Sequence, residues 1–172
     1  MMNRTAKLVL TSSALFLAFF VGRPDTAQAV GITDNVTVST TVTRACSINA
    51  TDTLAFPNYD PSSTTDTTTT GTIGFQCTVG VNPTIDLGNG LNSVAAGGGF
   101  RGMANGSNIL PYQIYSGSLS GSVWGTLLSG TSVVATGSGL PATVTMYGRI
   151  PLGKTSVIAG LYQDTVVATL NF

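Results

Sequence analysis

Histidine and glutamate are both missing from this chain of 172 residues, and charged residues are scarce. Seven Lys and Arg residues balance seven Asp residues, so the formal net charge is zero. Without an imidazole, metal sites and catalysis that need histidine are excluded. The basic residues are not clustered, which argues against a nucleic-acid-binding face. We therefore expect a protein that is not an enzyme and holds no cofactor and no metal ion.

Strong helix formers are also rare, whereas Thr occurs 27 times and Gly 21 times. Thr and Val suit β-strands and Gly suits turns, so the composition disfavours long amphipathic helices. The class predicted from composition is all-β.

The first 29 residues have the three-part pattern of a secretory signal peptide. Arg4 and Lys7 precede an apolar stretch over residues 8–21, and Ala27 and Ala29 supply small residues two apart. A membrane anchor is disfavoured because a spanning helix needs roughly 20 apolar residues. We predict cleavage after Ala29 and a single secreted domain over residues 30–172.

The two cysteines, Cys46 and Cys77, lie 31 positions apart. In a secreted chain they allow one intrachain disulfide, for which the loop-closure estimate is about 3.5 kcal/mol. A redox site would favour C-x-x-C spacing and a metal site would need more ligands, so a stapling disulfide is the preferred interpretation.

Residues 30–42 alternate between apolar and polar side chains, as a β-strand with one buried face does. The even-numbered row is apolar except for Asp34 and Thr40, and the odd-numbered row is Gly, Thr, Asn and Ser. By pattern alone we favour this segment as the first strand of its own sheet. The alternative is β-strand addition, in which the segment fills a groove at the sheet edge of a neighbouring molecule.

Short alternating patterns continue to the last residue. Residues 73–79, 84–87, 110–114 and 144–150 predict strands, residues 124–128 do so more weakly, and residues 166–172 predict the final strand. Residues 57–70 predict a solvated loop, and residues 130–141 are turn-like. Their spacing is typical of a β-sandwich.

Ordered phrases of the chain resemble the spore coat protein U domain, the family that includes subunits of archaic (Csu-type) chaperone–usher pili. The phrases are Cys46-Ser47-Ile48 with residues 54–60, residues 72–77, residues 85–90, Arg101-Gly102-Met103, residues 110–115, Trp124-Gly125, residues 144–151 and residues 159–166. Pro57 is a departure, since the family commonly has Gly there. Together the phrases cover nearly all of residues 30–172.

The resemblance implies an incomplete immunoglobulin-like β-sandwich that is completed by donor-strand exchange. It implies a periplasmic chaperone, an outer-membrane usher and identical or related subunits as partners, and export through the periplasm to the cell surface. The residues implied for the donor strand are Ile32, Val36, Val38 and Val42. Those implied for the edge strand that borders the groove and docks the chaperone are Val166, Ala168, Leu170 and Phe172.

Two functional hypotheses follow. The first is a structural subunit of a surface pilus or coat that supports adhesion and biofilm formation. The second is a self-complete secreted β-sandwich module that binds a surface ligand or glycan. A tip adhesin is disfavoured because such subunits commonly carry a further domain. The acidic residues Asp60, Asp66, Asp86 and Asp164 lack the ligand spacing of a calcium loop, so we interpret them as turn or cap residues.

Overall fold

The structure is a computed structural model in which residues 28–172 are described. Residues from Thr40 to Phe172 form one compact unit. The predicted signal peptide, residues 1–29, lies outside the described residues except for its last two positions. Over residues 28–172, no helix is both long and apolar enough to cross a membrane.

Eight β-strands lie within the described part of the chain, with one short α-helix, Ser93–Ala96, and one 3-10 turn, Leu127–Ser129. The strands are β1 (Cys46–Thr51), β2 (Thr67–Cys77), β3 (Thr84–Leu87), β4 (Arg101–Asn105), β5 (Asn108–Ser116), β6 (Val133–Val134), β7 (Ala142–Ile150) and β8 (Ala168–Asn171). The predicted all-β class is confirmed.

The strands form two antiparallel sheets. One has five strands in the order β1-β2-β7-β5-β4, and the other has three in the order β6-β3-β8. In the larger sheet Ile73 of β2 lies opposite Val144 of β7, and Tyr147 of β7 lies opposite Tyr115 of β5. β1 and β8 stand at sheet edges, so each has a strand neighbour on one side only.

The core is built from the period of two along these strands. The alternate residues Ile73, Phe75 and Cys77 of β2 are all nearly inaccessible to solvent. Alternate positions on β5 and on β7 add further buried apolar side chains, which are Leu110, Tyr112, Ile114, Met146 and Ile150. Because every second side chain of a strand points to one face, these three strands cover one side of a continuous core.

A buried arginine links the two sheets. Arg101 of β4 is 2% exposed. Its guanidinium donates to the carbonyls of Leu87 and Gly88, where β3 ends, at 3.2 and 2.8 Å, and to the carbonyl of Trp124 at 2.6 Å. It also donates to Oε1 of Gln113 at 2.8 Å. Four hydrogen bonds thus compensate the burial of this cation, as a buried charge requires.

Several predicted element boundaries are wrong. β2 begins at Thr67, inside the predicted loop 57–70, because residues 67–70 pair with β7. Residues 124–128 form no strand, and the turn-like stretch 130–141 contains β6. The final strand spans Ala168–Asn171 rather than residues 166–172. Strand pairing, which local composition does not report, decides each of these boundaries.

Candidate functional site: an apolar groove between the sheets

A groove of about 800 Å³ opens between the two sheets, and we call it the groove below. Its floor consists of core side chains from both sheets. Those of the larger sheet are Ile73, Leu110, Tyr112, Ile114, Met146 and Ile150, and those of the smaller sheet are Leu87 and Ala168. In an ordinary sandwich, such side chains are covered by the neighbouring sheet. Here they line an open cleft.

The first wall of the groove is the segment that follows β1, residues 52–59. Its apolar side chains Leu54 and Phe56 pack against the core. The Phe56 ring meets the Tyr112 ring edge to face, with centroids 6.0 Å apart. Tyr59 ends the wall, because its hydroxyl donates to the carbonyl of Pro151 at 3.3 Å and accepts the backbone N–H of Lys154 at 2.9 Å.

The second wall is the segment that leads into β8, residues 160–167. Gln163 pairs with Ala104, the fourth residue of β4, through two backbone hydrogen bonds of 2.8 and 3.0 Å. The same segment then reaches the smaller sheet, where Gly88 donates its N–H to the carbonyl of Val167 at 2.9 Å. The wall therefore crosses from one sheet to the other and closes the groove on the β4 side.

Asp164 fastens this second wall to the floor. One carboxylate oxygen accepts the backbone N–H of Leu91 and of Thr165, both at 2.9 Å. The other accepts the hydroxyl of Tyr112 at 2.8 Å. The interpretation of Asp164 as a turn or cap residue is therefore too narrow, since it also joins wall and floor. Asp60 does hold a turn, where it accepts from the backbone and hydroxyl of Ser62.

The environment of Tyr112 keeps its phenol neutral. Burial raises the pKa of Tyr112 well above its usual range, and the hydrogen bond to the Asp164 carboxylate raises it further. Arg101 acts in the opposite direction, because a nearby positive charge favours the phenolate. The hydroxyl therefore remains a hydrogen-bond donor to Asp164 over the whole ordinary pH range.

The free edge of β8 borders the groove with unpaired backbone groups. Leu87 lies opposite Ala168 in the strand register. Its N–H nevertheless points away from β8 and donates to the carbonyl of Gly125. Since hydrogen-bonding sides alternate along a strand, the backbone of Ala168 and Leu170 faces away from β3. The Ala168 side chain lines the groove, and that of Leu170 packs against the core. This edge is therefore open to a further strand.

The other residues predicted for this edge have different environments. Val166 is half-buried and lines the groove just before β8 begins, whereas Phe172 follows the strand and is 55% exposed. Three of the four predicted edge residues thus have side chains in the groove or the core, and the terminal aromatic ring does not.

A disulfide joins Cys46, the first residue of β1, to Cys77, the last residue of β2. The two residues are also direct partners in the strand register. Because β1 pairs with β2 alone, the disulfide ties an edge strand to the rest of the sheet. It therefore fixes the strand from which the first wall of the groove continues.

The segment predicted as a donor strand, residues 30–42, has no strand assigned and is exposed throughout. The predicted inserting side chains are all more than three-quarters exposed, namely Ile32 (94%), Val36 (87%), Val38 (90%) and Val42 (78%). Apolar side chains in an alternating row are rarely left in water without a partner surface. Asp34 breaks this row, and its carboxylate accepts only the N–H of Asn35, at 2.7 Å.

Three parts of the groove were not predicted from the sequence. The apolar wall at Leu54 and Phe56, the link between Tyr112 and Asp164, and the buried Arg101 each depend on contacts between distant segments. The family phrase Arg101-Gly102-Met103 marked Arg101 in the sequence, but it did not indicate that this side chain is buried between the sheets.

These observations define the class of fold. It is an all-β sandwich with a groove between its sheets and with free strand edges at β1 and β8. The family model for the Spore Coat Protein U domain matches residues 32–169. The chain is 36% identical to Protein U of Myxococcus xanthus over a 182-residue alignment that covers 98% of each chain. The chain therefore belongs to the Spore Coat Protein U domain family.

A solved structure is similar in fold. It is the crystal structure of the CsuC–CsuE chaperone–tip adhesion subunit pre-assembly complex from archaic chaperone–usher Csu pili of Acinetobacter baumannii. The match has a TM-score of 0.55 and 26% sequence identity, and it covers 77% of this chain. This chain spans 40% of the length of the matched chain in that complex.

Proposed function

We propose that this protein is a structural subunit of a surface pilus or coat, assembled through donor-strand complementation in a chaperone–usher pathway. One observation carries the proposal, namely an apolar groove with a free strand edge in a chain whose exposed residues 30–42 carry an alternating apolar row. Residues 30–42 of one copy would fill the groove of the next, and identical or related subunits would form the polymer.

The physical chemistry of the two surfaces favours this pairing. The free edge of β8 offers backbone hydrogen bonds, and the groove offers apolar contacts to alternate side chains. Burying Ile32, Val36, Val38 and Val42 would contribute about 6–12 kcal/mol before the cost of ordering the segment. An uncovered groove of this kind promotes aggregation, so a periplasmic chaperone and an outer-membrane usher are the expected assembly partners.

Insertion requires the groove to widen at one end. β1 and β8 come within 8 Å of each other between Cα atoms. Two strands that flank a third lie about 10 Å apart. A donor strand therefore enters along the walls formed by residues 52–59 and 160–167, and a longer pairing needs β1 to move away from β8.

This role needs no catalytic group, because complementation uses only backbone hydrogen bonds and apolar contacts. The protein would cross the periplasm and be displayed on the cell surface, where the polymer would support adhesion and biofilm formation. A self-complete binding module would leave the exposed row of residues 30–42 without a role.

The test compares the full chain with a variant that lacks residues 30–42, each secreted with the native chaperone and usher. Unheated and boiled samples are compared on SDS gels, and native size is measured in parallel. We expect a ladder of SDS-resistant multimers that disappears on boiling and is missing in the deletion variant. A folded monomer from both chains would reject the pilus-subunit proposal and favour the secreted binding module.

A further inference from the structure

We propose that Asp34, the charged side chain in the inserting row of residues 30–42, is the specificity-determining residue of donor-strand insertion and makes insertion proton-linked. This inference rests on the proposed function, because it concerns the fit of that segment to the groove. The negative charge weakens insertion into a groove that has no positive charge to offer, and protonation of the carboxyl removes the penalty.

The position of Asp34 in the row is the first part of the argument. Ile32, Val36 and Val38 share its parity, so a strand that turns these apolar side chains into a groove turns Asp34 the same way. A shift of the register by one residue would instead insert Gly31, Thr33, Asn35 and Thr37 and expose every apolar side chain. The carboxylate therefore cannot avoid the groove without a local bulge.

The second part is the charge of the groove itself. No Lys or Arg lines it, as judged from residues 28–172, and its charged lining residues are Asp52 and Asp164. Both carboxylates are already hydrogen-bonded, Asp52 to the backbone and hydroxyl of Thr72 and Asp164 to Tyr112 and Leu91. Each carboxylate therefore adds a negative charge to the groove, whereas an inserted Asp34 would need a positive charge there.

The hydroxyls that are buried or half-buried in the lining are also committed. Tyr112 donates to Asp164, Tyr59 donates to the carbonyl of Pro151, and Tyr162 donates to the carbonyl of Ile158. None of these hydroxyls has a second proton to donate to an incoming carboxylate. The remaining polar side chains of the lining are neutral and exposed, namely Thr51, Thr53, Asn58, Gln163 and Thr165. A charged carboxylate on the apolar floor is therefore costly, whereas the protonated form costs far less.

The cations of the described chain lie elsewhere. Arg101 is buried among carbonyls, Arg149 pairs with Asp66 at 3.6 Å, and Lys154 lies 6.0 Å from the centre of the Phe100 ring. Arg44 is exposed and precedes β1 by two residues. It is therefore the cation of an accepting copy that could pair with Asp34, and the experiment must separate this ion pair from the proposed penalty.

The experiment measures how fast SDS-resistant multimers of the full mature chain dissociate at a fixed raised temperature, at about pH 8 and about pH 5. Both values lie above the ordinary pKa range of carboxyl groups. We expect wild-type multimers to dissociate more slowly at the lower pH and to approach the rate of Asp34→Asn there, a change of up to about tenfold in all. Asp34→Asn should dissociate about tenfold more slowly than wild type at the higher pH and lose this pH dependence.

The matched control is Asn35→Asp, which places the same charge on the neighbouring residue of the opposite parity. Its side chain faces solvent in the inserted strand, so its dissociation rate and pH dependence should equal those of wild type. An effect as large as that of Asp34 would overturn the argument from parity.

Two further results would overturn the proposal. One is a parallel pH dependence of wild type and Asp34→Asn. The other is that Asp34→Asn multimers dissociate faster than wild type at the higher pH and that Arg44→Gln multimers do so as well. That result would identify an intermolecular ion pair instead. The variant without residues 30–42 keeps the two proposals apart, because multimers that survive this deletion reject the proposed function, whereas a pH-insensitive wild type rejects only the role of Asp34.

Discussion

The hydrogen bond between Tyr112 and Asp164 offers the sharpest test of how the groove is held open. The Tyr112 hydroxyl lies on the floor and the Asp164 carboxylate on the second wall, 2.8 Å apart. Tyr112→Phe removes this hydrogen bond between the floor and the second wall. The substitution leaves the ring and its packing against Phe56 in place. The wall keeps its other attachments, which are the backbone pairing of Gln163 with Ala104 and the hydrogen bonds from Gly88 and Leu91.

The expected magnitude follows from the partners of each atom. A hydrogen bond to a charged group contributes about 1.5–3 kcal/mol when both partners are buried. Tyr112 is 4% exposed, but Asp164 is only half-buried, so water can replace the lost donor in part. We therefore expect a loss of about 1–2 kcal/mol, which lowers the melting temperature of a domain of this size by about 3–8 °C.

The assay is thermal unfolding of the multimer, followed by circular dichroism, for wild type, Tyr112→Phe, Asp164→Asn and the double variant. The two single losses should add only in part, because both variants alter this hydrogen bond, while Asp164→Asn also alters the group that accepts from Leu91 and Thr165. Tyr147→Phe is the matched control, since no hydrogen bond of its hydroxyl occurs among the described residues. If Tyr112→Phe melts with wild type, or if the two losses add in full, the wall is not held by this contact.

Three other predictions follow from the same structure. Arg101→Met should destabilise the domain by about 3–5 kcal/mol in urea unfolding, because it leaves the carbonyls of Leu87, Gly88 and Trp124 and the side chain of Gln113 without their donor. A loss below about 1 kcal/mol would show that the cation is dispensable. The pKa of Tyr112 is raised in the folded state, so its contribution to stability is complete below the pKa of an unfolded tyrosine, near 10, and is lost as the pH rises above that pKa. Alkaline unfolding should therefore shift to higher pH in Tyr112→Phe. The double variant Cys46→Ala, Cys77→Ala should lose about 3.5 kcal/mol of unfolding free energy, and its amide hydrogen exchange should rise first in β1. A uniform rise in exchange across the larger sheet would contradict the edge-strand role of the disulfide.

The sequence predicted the strands that carry the core because their pattern is local. Residues 73–79 alternate, and the structure contains 73–77 of them within β2; the predicted strand 144–150 lies wholly within β7. The prediction was wrong where local composition and pairing disagree. Residues 67–70 are four threonines that composition assigns to a loop, yet they pair with residues 147–150 and extend β2.

The groove shows the same division between local and distant information. Ala168 and Leu170 could be assigned to the last strand from their alternation and from the family resemblance, whereas Val166 lies just before that strand. Asp164 and Tyr112 could not be paired from the sequence, because 52 residues separate them and neither side chain carries a pattern that names the other. Contacts of this kind arise only when the strands are arranged in space.

By itself, the sequence determined that this protein is an all-β chain with two pairable cysteines, very few charges and an alternating apolar row over residues 30–42. These properties follow from residue types and from spacing along the chain, which strand geometry translates directly. Only the tertiary structure decided that a groove opens between the two sheets, that Arg101 joins the sheets and that, among residues 28–172, no positive charge lines the groove. Each of these depends on which segments become neighbours, and that is fixed by the free energy of the whole domain rather than by any local pattern.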